Sequence, residues 1–205
     1  MGVDLKIGVI DYGSGNVGSV MNSLMRLGHE PVLSSDYHEL SSCTHLILPG
    51  VGSFGAVKTK LDSVLTNSQI ISLAQGSKAF LGICVGMQIL CDVGEEDQIT
   101  RGFGVFRGRV VRIPHASVLP HMGWNNLEAI KAASPLLEGI SEEDDFYFVH
   151  SYCLADEDSD EVVARANYGT VFPAVTQRGN VYGVQFHPEK SSGAGRKVLV
   201  NFLSL

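Results

Sequence analysis

Three apolar runs in the first half of the chain each end on a glycine-rich corner, and this repetition limits the possible folds more than any other feature. Residues 6–11 (KIGVID) stop at Gly13. Residues 45–48 (HLIL) run into Pro49-Gly50-Val51-Gly52, and residues 78–83 (KAFLGI) run into Gly82-Ile83-Cys84-Val85-Gly86. Runs this short, bounded by glycine, suit buried strands. A helical stretch follows each of them. Val17, Val20, Met21, Leu24 and Leu27 recur at helix period, and Gly28 closes that helix. Residues 54–65 predict a second helix, and residues 86–90 begin a third. A further short strand is expected at 31–33. Strands alternating with helices predict an α/β fold with a mostly parallel central sheet.

The rhythm changes after about residue 100. Residues 105–113, 146–152, 161–166, 174–178 and 181–186 read as strands, with a tight turn at Arg178-Gly179-Asn180, and residues 192–203 read as a closing helix. These later strands are expected to add antiparallel pairs to the sheet. No repeat, low-complexity segment or linker divides the chain, so residues 1–205 read as one domain. A length of 205 residues suits one sizeable core but is short for a cofactor domain plus a substrate domain. The formal net charge of -7 argues against a nucleic-acid-binding role, which needs clustered cations. No apolar run is long enough to span a membrane. Residues 1–10 carry one lysine and read as a first strand rather than a signal peptide. The four cysteines form no CxxC pair, so reduced thiols in the cytoplasm are expected. No metal spacing joins them to the histidines.

The first corner, Gly13-Ser-Gly15-Asn-Val-Gly18, matches the G-x-G-x-x-G dinucleotide fingerprint, with Asp36 about twenty residues on. With so little chain left for a substrate domain, it is read as a glycine-rich turn without a cofactor. The Gly82–Gly86 corner has the form G-x-C-x-G, the cysteine counterpart of a nucleophile elbow. A sharp strand-to-helix turn brings the positions two before and two after the nucleophile together, so both must be glycine. The thiol then sits at a helix N-terminus, where thiolate is favoured, and the Val85 N–H after it is a natural oxyanion donor.

The partner for Cys84 is read at His187-Pro188-Glu189. Pro188 biases His187 towards extended backbone. Residues i and i+2 then share a side, so Glu189 reaches the imidazole and fixes its tautomer. His187 follows an apolar strand, at the strand end where open α/β sheets place their sites. His150, in FVHSY, is the one rival base. In the Pro49–Gly52 corner, the flanking glycines leave Val51 and Gly52 free to turn N–H groups towards an oxyanion. The other cysteines, Cys43, Cys91 and Cys153, read as inert packing thiols.

The elbow GICVGMQ, the late QFHPEKS and the loop LPGVG together resemble the class I glutamine amidotransferases. DYGSGNVGS, PGVGSFG, GICVGMQIL, LPHMGWN, YFVHSY and QFHPEKSS occur in order along the whole chain. That combination is similar to the glutaminase subunits of imidazole glycerol phosphate synthase, with PHMGWN and PGVG the specific parts. The resemblance implies a flavodoxin-like α/β domain that hydrolyses glutamine to glutamate and ammonia with no cofactor. It also implies a heterodimer with a (β/α)8-barrel cyclase that receives the ammonia in histidine biosynthesis. By motif position it makes Cys84 the nucleophile, His187 the base and Glu189 its orienter. Gln88, Glu96 and the backbone at Ser151 and Tyr152 would hold the glutamine. Asn16, Met122, Trp124, Asn125, Tyr147 and Lys190 would lie towards the partner. One departure is Cys153, where the family often has an arginine after FVHSY. Related chains also feed sugar-amidating enzymes of surface-polysaccharide synthesis, and Cys153 keeps that alternative open. Two readings without the amidotransferase partnership are a stand-alone cysteine amidohydrolase, active by itself, and a non-catalytic docking module. The intact Cys–His–Glu set argues against the latter.

Overall fold

A computed structural model of the chain describes residues 5–76, 78–131, 133–155 and 159–205. The expected first strand begins at Ile7; residues 1–4 of that reading lie outside the described residues. In chain order the elements are β1 (Ile7–Ile10), α1 (Val17–Arg26), β2 (Val32–Ser34), α2 (Tyr37–Ser41), β3 (His45–Gly50), α3 (Phe54–Val64), α4 (Asn67–Gln75), β4 (Ala79–Cys84) and α5 (Val85–Gln88). They continue with β5 (Val93–Gly94), β6 (Thr100–Arg101), β7 (Arg109–Arg112), β8 (His121–Asn126), β9 (Asp145–His150), β10 (Tyr152–Leu154), β11 (Val162–Asn167), β12 (Val171–Arg178), β13 (Val181–Val184) and α6 (Ser192–Leu203).

The central sheet has seven strands in the order β11-β12-β13-β4-β3-β1-β2. The pairs β13–β4, β4–β3, β3–β1 and β1–β2 are parallel, whereas β11–β12 and β12–β13 are antiparallel. This is the expected parallel sheet extended by later hairpins. Strands β1, β3, β4 and β13 are buried along their whole length. That is why they read as continuous apolar runs rather than alternating ones. Helix α1 buries Val20 and Leu24 and packs Val17, Met21 and Leu27 against the core. A four-stranded sheet, β10-β7-β5-β6, and the β8–β9 ribbon complete the structure.

The structure corrects four boundaries. Residues 105–113 are not one strand: only Arg109–Arg112 pairs, because Gly108 turns at φ +113° and the Val105 and Phe106 amides bond back to the Leu90 carbonyl. The expected 146–152 strand breaks at Ser151 into β9 and β10, which join different sheets. The helix after Cys84 is one turn, Val85–Gln88. The last strand ends at Val184, which leaves Gln185–His187 as an irregular segment beyond it.

Register places the chemistry. Gly50 lies opposite Cys84 and Val184 opposite Ile83, so the C-terminal ends of β3, β4 and β13 meet at one edge. Glycines allow this approach. A Cβ on Gly86 would lie 1.9 Å from the Leu48 carbonyl oxygen, and one on Gly50 would lie 2.1 Å from the Gly86 nitrogen. Gly86→Ala is therefore expected to destabilise the fold by about 3 kcal/mol or more, as severe backbone clashes do. Gly193→Ala, which meets open space in α6, is the control and is expected to melt like the wild type. Thermal melting of the two variants checks this; equal melting temperatures would show that the β3–α5 contact is loose.

Candidate active site

Cys84 occupies the turn from β4 into α5 with φ +54° and ψ -114°, a left-handed conformation that side-chain-bearing residues rarely adopt. Backbone held this way presents the thiol at the strand end, and such strain persists only where the surroundings enforce it. Here Gly82 and Gly86 enforce it: a Cβ on Gly82 would lie 2.7 Å from the Gly86 carbonyl oxygen. The positions two before and two after the cysteine are in contact, as their spacing predicts.

His187 reaches the same edge beyond β13. Its backbone is extended, at φ -101° and ψ 96°, as the following proline favours. Nδ1–H donates to Glu189 Oε1 at 2.8 Å, and both side chains are almost fully buried. Asn16 Nδ2 donates to the same carboxylate oxygen at 2.9 Å. Burial alone would lower the His187 pKa, but hydrogen-bonding and charge interactions with Cys84 and Glu189 outweigh it and hold the pKa at about 10. Burial likewise opposes ionisation of Glu189, yet His187 and Asn16 hold its carboxyl below the ordinary range. At neutral pH the imidazole therefore carries its proton beside an ionised carboxylate. Nε2 faces Cys84, close enough for this effect but without a closed hydrogen bond.

A cavity of about 280 Å³ opens beside these groups, lined by Val51, Gly52, Cys84, Val85, Gln88, Glu96, Ser151, Tyr152 and His187 among others. Of the positions named from the sequence, Cys84 and His187 and the oxyanion and glutamine-holding positions line this cavity, whereas Glu189 is off its wall, bonded to His187. Gln88 Nε2 donates to the Tyr152 carbonyl at 2.8 Å and to Gln185 Oε1 at 2.9 Å. Glu96 Oε2 accepts the Phe54 N–H at 2.8 Å at the start of α3, and burial raises its pKa.

His150 also lines the cavity, but both ring nitrogens are engaged. Nδ1 bonds the Tyr152 carbonyl at 2.9 Å and Nε2 meets His121 Nδ1 at 3.0 Å. Since Nδ1 must donate to a carbonyl, Nε2 accepts from His121. Burial pushes the His150 pKa down to about 3, so it is a weak proton acceptor.

Among the partner-facing positions, Met122 and Trp124 are 62% and 53% exposed on one face of β8. Tyr147 lies across from Trp124 with ring centroids 5.9 Å apart, and Lys190 Nζ is 5.8 Å from the Tyr147 ring. Asn125 is turned back into the fold, donating to the Asn167 carbonyl at 2.9 Å. Asn16, expected on the partner side, is bonded into the His187–Glu189 pair. Asp36 accepts the Glu39 N–H as the cap of α2. Cys153 is buried and registered against Val111 in the β10–β7 pair.

Gln185 went unnoticed in the sequence. It is fully buried, accepts from Gln88, and directs Nε2 at Cys84 Sγ at 3.6 Å. Its place two residues before His187 was the available signal.

A family model described as glutamine amidotransferase class-I matches residues 8–204. The imidazole glycerol phosphate synthase subunit HisH of Desulfitobacterium hafniense is 47% identical over 196 residues, covering 96% of this chain and 92% of that one. The subunit of the same name from Methanothermobacter thermautotrophicus is 42% identical, covering 97% and 98%. Among solved structures, PurLQS from Thermotoga maritima superposes with a TM-score of 0.76 at 22% identity, covering 98% of this chain and 99% of that one. This last likeness concerns the fold.

Proposed function

Since the chain belongs to the class I glutamine amidotransferases and groups with the HisH subunits of imidazole glycerol phosphate synthase, we propose that Cys84, His187 and Glu189 hydrolyse glutamine and that the ammonia passes to a (β/α)8-barrel cyclase. The observation that carries this is the strained Cys84 elbow facing a buried His187–Glu189 pair across the β4–β13 boundary. Residues 1–205 act in this reading as one domain.

The Cys84 thiolate attacks the side-chain carboxamide carbon of glutamine and forms a C–S bond. The carbonyl oxygen becomes an oxyanion, which the Val85 N–H and an N–H of the Val51–Gly52 segment stabilise. His187, already protonated, gives its proton to the nitrogen, the C–N bond breaks and ammonia leaves. Water then attacks the thioester, and His187 takes up its proton. The tetrahedral adduct collapses to glutamate and free thiolate. Gln88, Glu96 and the Ser151–Tyr152 backbone hold the amino acid in the cavity. Gln185 keeps Gln88 and the thiol in register. The Met122, Trp124, Tyr147 and Lys190 face, beside the triad segment, is the surface for the cyclase.

Val51 is a non-glycine residue between two glycines, so turning its N–H into the site strains the backbone, and the free subunit rests in this reading without that donor. One absent oxyanion donor costs roughly 10²–10³ in rate. The subunit alone is therefore expected to hydrolyse glutamine about 10²–10³ times more slowly than with its substrate-loaded cyclase. Steady-state glutaminase rates with and without the cyclase check this. Equal rates would remove the coupling and favour a stand-alone amidohydrolase.

A further inference from the structure

Among the described residues, Gln185 is the last of its segment to bond the central sheet, its N–H donating to the Ala174 carbonyl at 2.8 Å. His187 lies two residues further on, where the sheet no longer holds the chain. A misplacement of about 1 Å in a reacting group costs roughly 10²-fold in rate, so something else must fix it. The free edge of β9 does so. That strand pairs with β8 on one side, and an open edge leaves N–H and C=O groups to be satisfied. At Tyr147 both are spent on the base segment. The His187 N–H donates to the Tyr147 carbonyl at 2.9 Å, and the Tyr147 N–H donates to Ser191 Oγ at 2.9 Å. The Ser191 hydroxyl donates in turn to the His187 carbonyl at 2.6 Å, which closes a ring of three hydrogen bonds. The His187 backbone is thereby tied at its N–H and its C=O to one residue of β9, directly and through one hydroxyl.

The serine does not serve its own helix. Ser191 is the N-cap of α6, a position where a serine side chain ordinarily accepts an N–H of the first turn, yet its side chain makes no such bond. That turn is seated by its backbone instead. The Gly195 N–H donates to the Ser191 carbonyl at 2.9 Å, and a Cβ on Gly195 would lie 2.0 Å from the Pro188 carbonyl oxygen. Ser191 is fully buried, so its hydroxyl has exchanged water for the His187 carbonyl and the Tyr147 amide. We propose that the Ser191 hydroxyl is a positioning group that fixes the His187 backbone to β9 and so keeps Nε2 aimed at the Cys84 thiol. This rests on reading His187 as the proton carrier of a glutaminase. Glu189 and Asn16 set the ring's tautomer and charge from one side, and Ser191 sets where the ring stands.

Ser191→Ala removes the hydroxyl and breaks two of the three bonds. With saturating cyclase, the variant's glutamine kcat is expected to fall roughly 10–10²-fold with KM unchanged. General loosening of β9 would raise KM as well, because that strand runs directly into the Ser151 and Tyr152 wall of the cavity. A double-mutant cycle gives the second readout. If the hydroxyl acts through the base, Ser191→Ala should change the residual rate of His187→Ala by less than about twofold, measured with enzyme in excess over glutamine. A purely structural tie would slow both backgrounds alike. Ser191→Gly, which also lacks the hydroxyl and is accepted at a helix cap, is the second variant, and melting curves report the folded state. A folded variant that keeps the wild-type kcat, or that loses rate through KM, would overturn this assignment alone, beside an active wild-type complex. Failure of both variants to fold would make the hydroxyl a structural tie and overturn it too. A wild-type complex that hydrolyses no glutamine would overturn the glutaminase reading and this one with it.

Discussion

Cys84→Ala is expected to lower glutamine hydrolysis by several orders of magnitude while the chain still folds and binds its cyclase. Removal of a covalent nucleophile leaves only binding and electrostatic assistance, and comparable triads lose about 10⁶ in kcat. The fold should tolerate the change. Among the described residues, the thiol's one closed hydrogen bond comes from Gln185 at 3.6 Å. Alanine at φ +54° carries the same backbone strain as cysteine, and the turn is held by Gly82 and Gly86 rather than by the sulfur. Hydrolysis rates, melting and complex formation should therefore separate cleanly. A glutamine-like electrophile should label Cys84 and spare the rest. All four cysteines are buried, but Cys84 alone lines the glutamine cavity, and burial pushes the Cys43 and Cys91 thiols up. Substantial residual hydrolysis by Cys84→Ala, or labelling at another cysteine, would mean that the elbow is not the nucleophile.

Much of this arrangement could be read without coordinates, for reasons that also explain the gaps. The parallel strands announce themselves because burial on both faces demands unbroken apolar runs. The elbow does so because only glycine fits where β4, α5 and β3 touch. His187-Pro188-Glu189 works as a local unit, so spacing alone reveals it. What was missed depends on distant partners. Gln185 is an ordinary strand-end glutamine until Gln88 and Cys84, about a hundred residues away, come beside it. Tyr12 is a core aromatic until the Pro49 carbonyl reaches it, and the bond from the Asn16 amide goes to a carboxylate 173 residues away. The β8 strand, HMGWNN, has only Met122 and Trp124 in alternation, both exposed, and contains Gly123 at φ +141°, so little local marks it as extended. Its pairing with β9 supplies the hydrogen bonds that the sequence pattern does not advertise.

His187→Ala is expected to approach the nucleophile variant, whereas Glu189→Gln should retain roughly tens of times more activity. The difference follows from what each group does. His187 handles a proton in both half-reactions, and no other described side chain lies ready to replace it; His150 has both nitrogens occupied and a pKa near 3. Glu189 never touches substrate in this scheme. It fixes the imidazole's tautomer and favours its charged form, and a glutamine there keeps the first effect in part. The pH profile separates these roles. With the His187 pKa held at about 10, activity that needs imidazolium should persist through the pH 6–7 range where an ordinary histidine loses its proton, and fall only as pH rises towards 10. The acid side has the opposite sign. Glu189 is held below the usual carboxylate range, so its contribution is complete above the ordinary carboxylate pKa and is lost only as pH falls through the depressed one. Glu189→Gln and Asn16→Ala, which weaken the support for imidazolium, should both move the alkaline limb to lower pH, the first further than the second. A wild-type profile that breaks near pH 6.5, or a His150→Ala variant that loses more activity than His187→Ala while still folded, would place the essential base elsewhere.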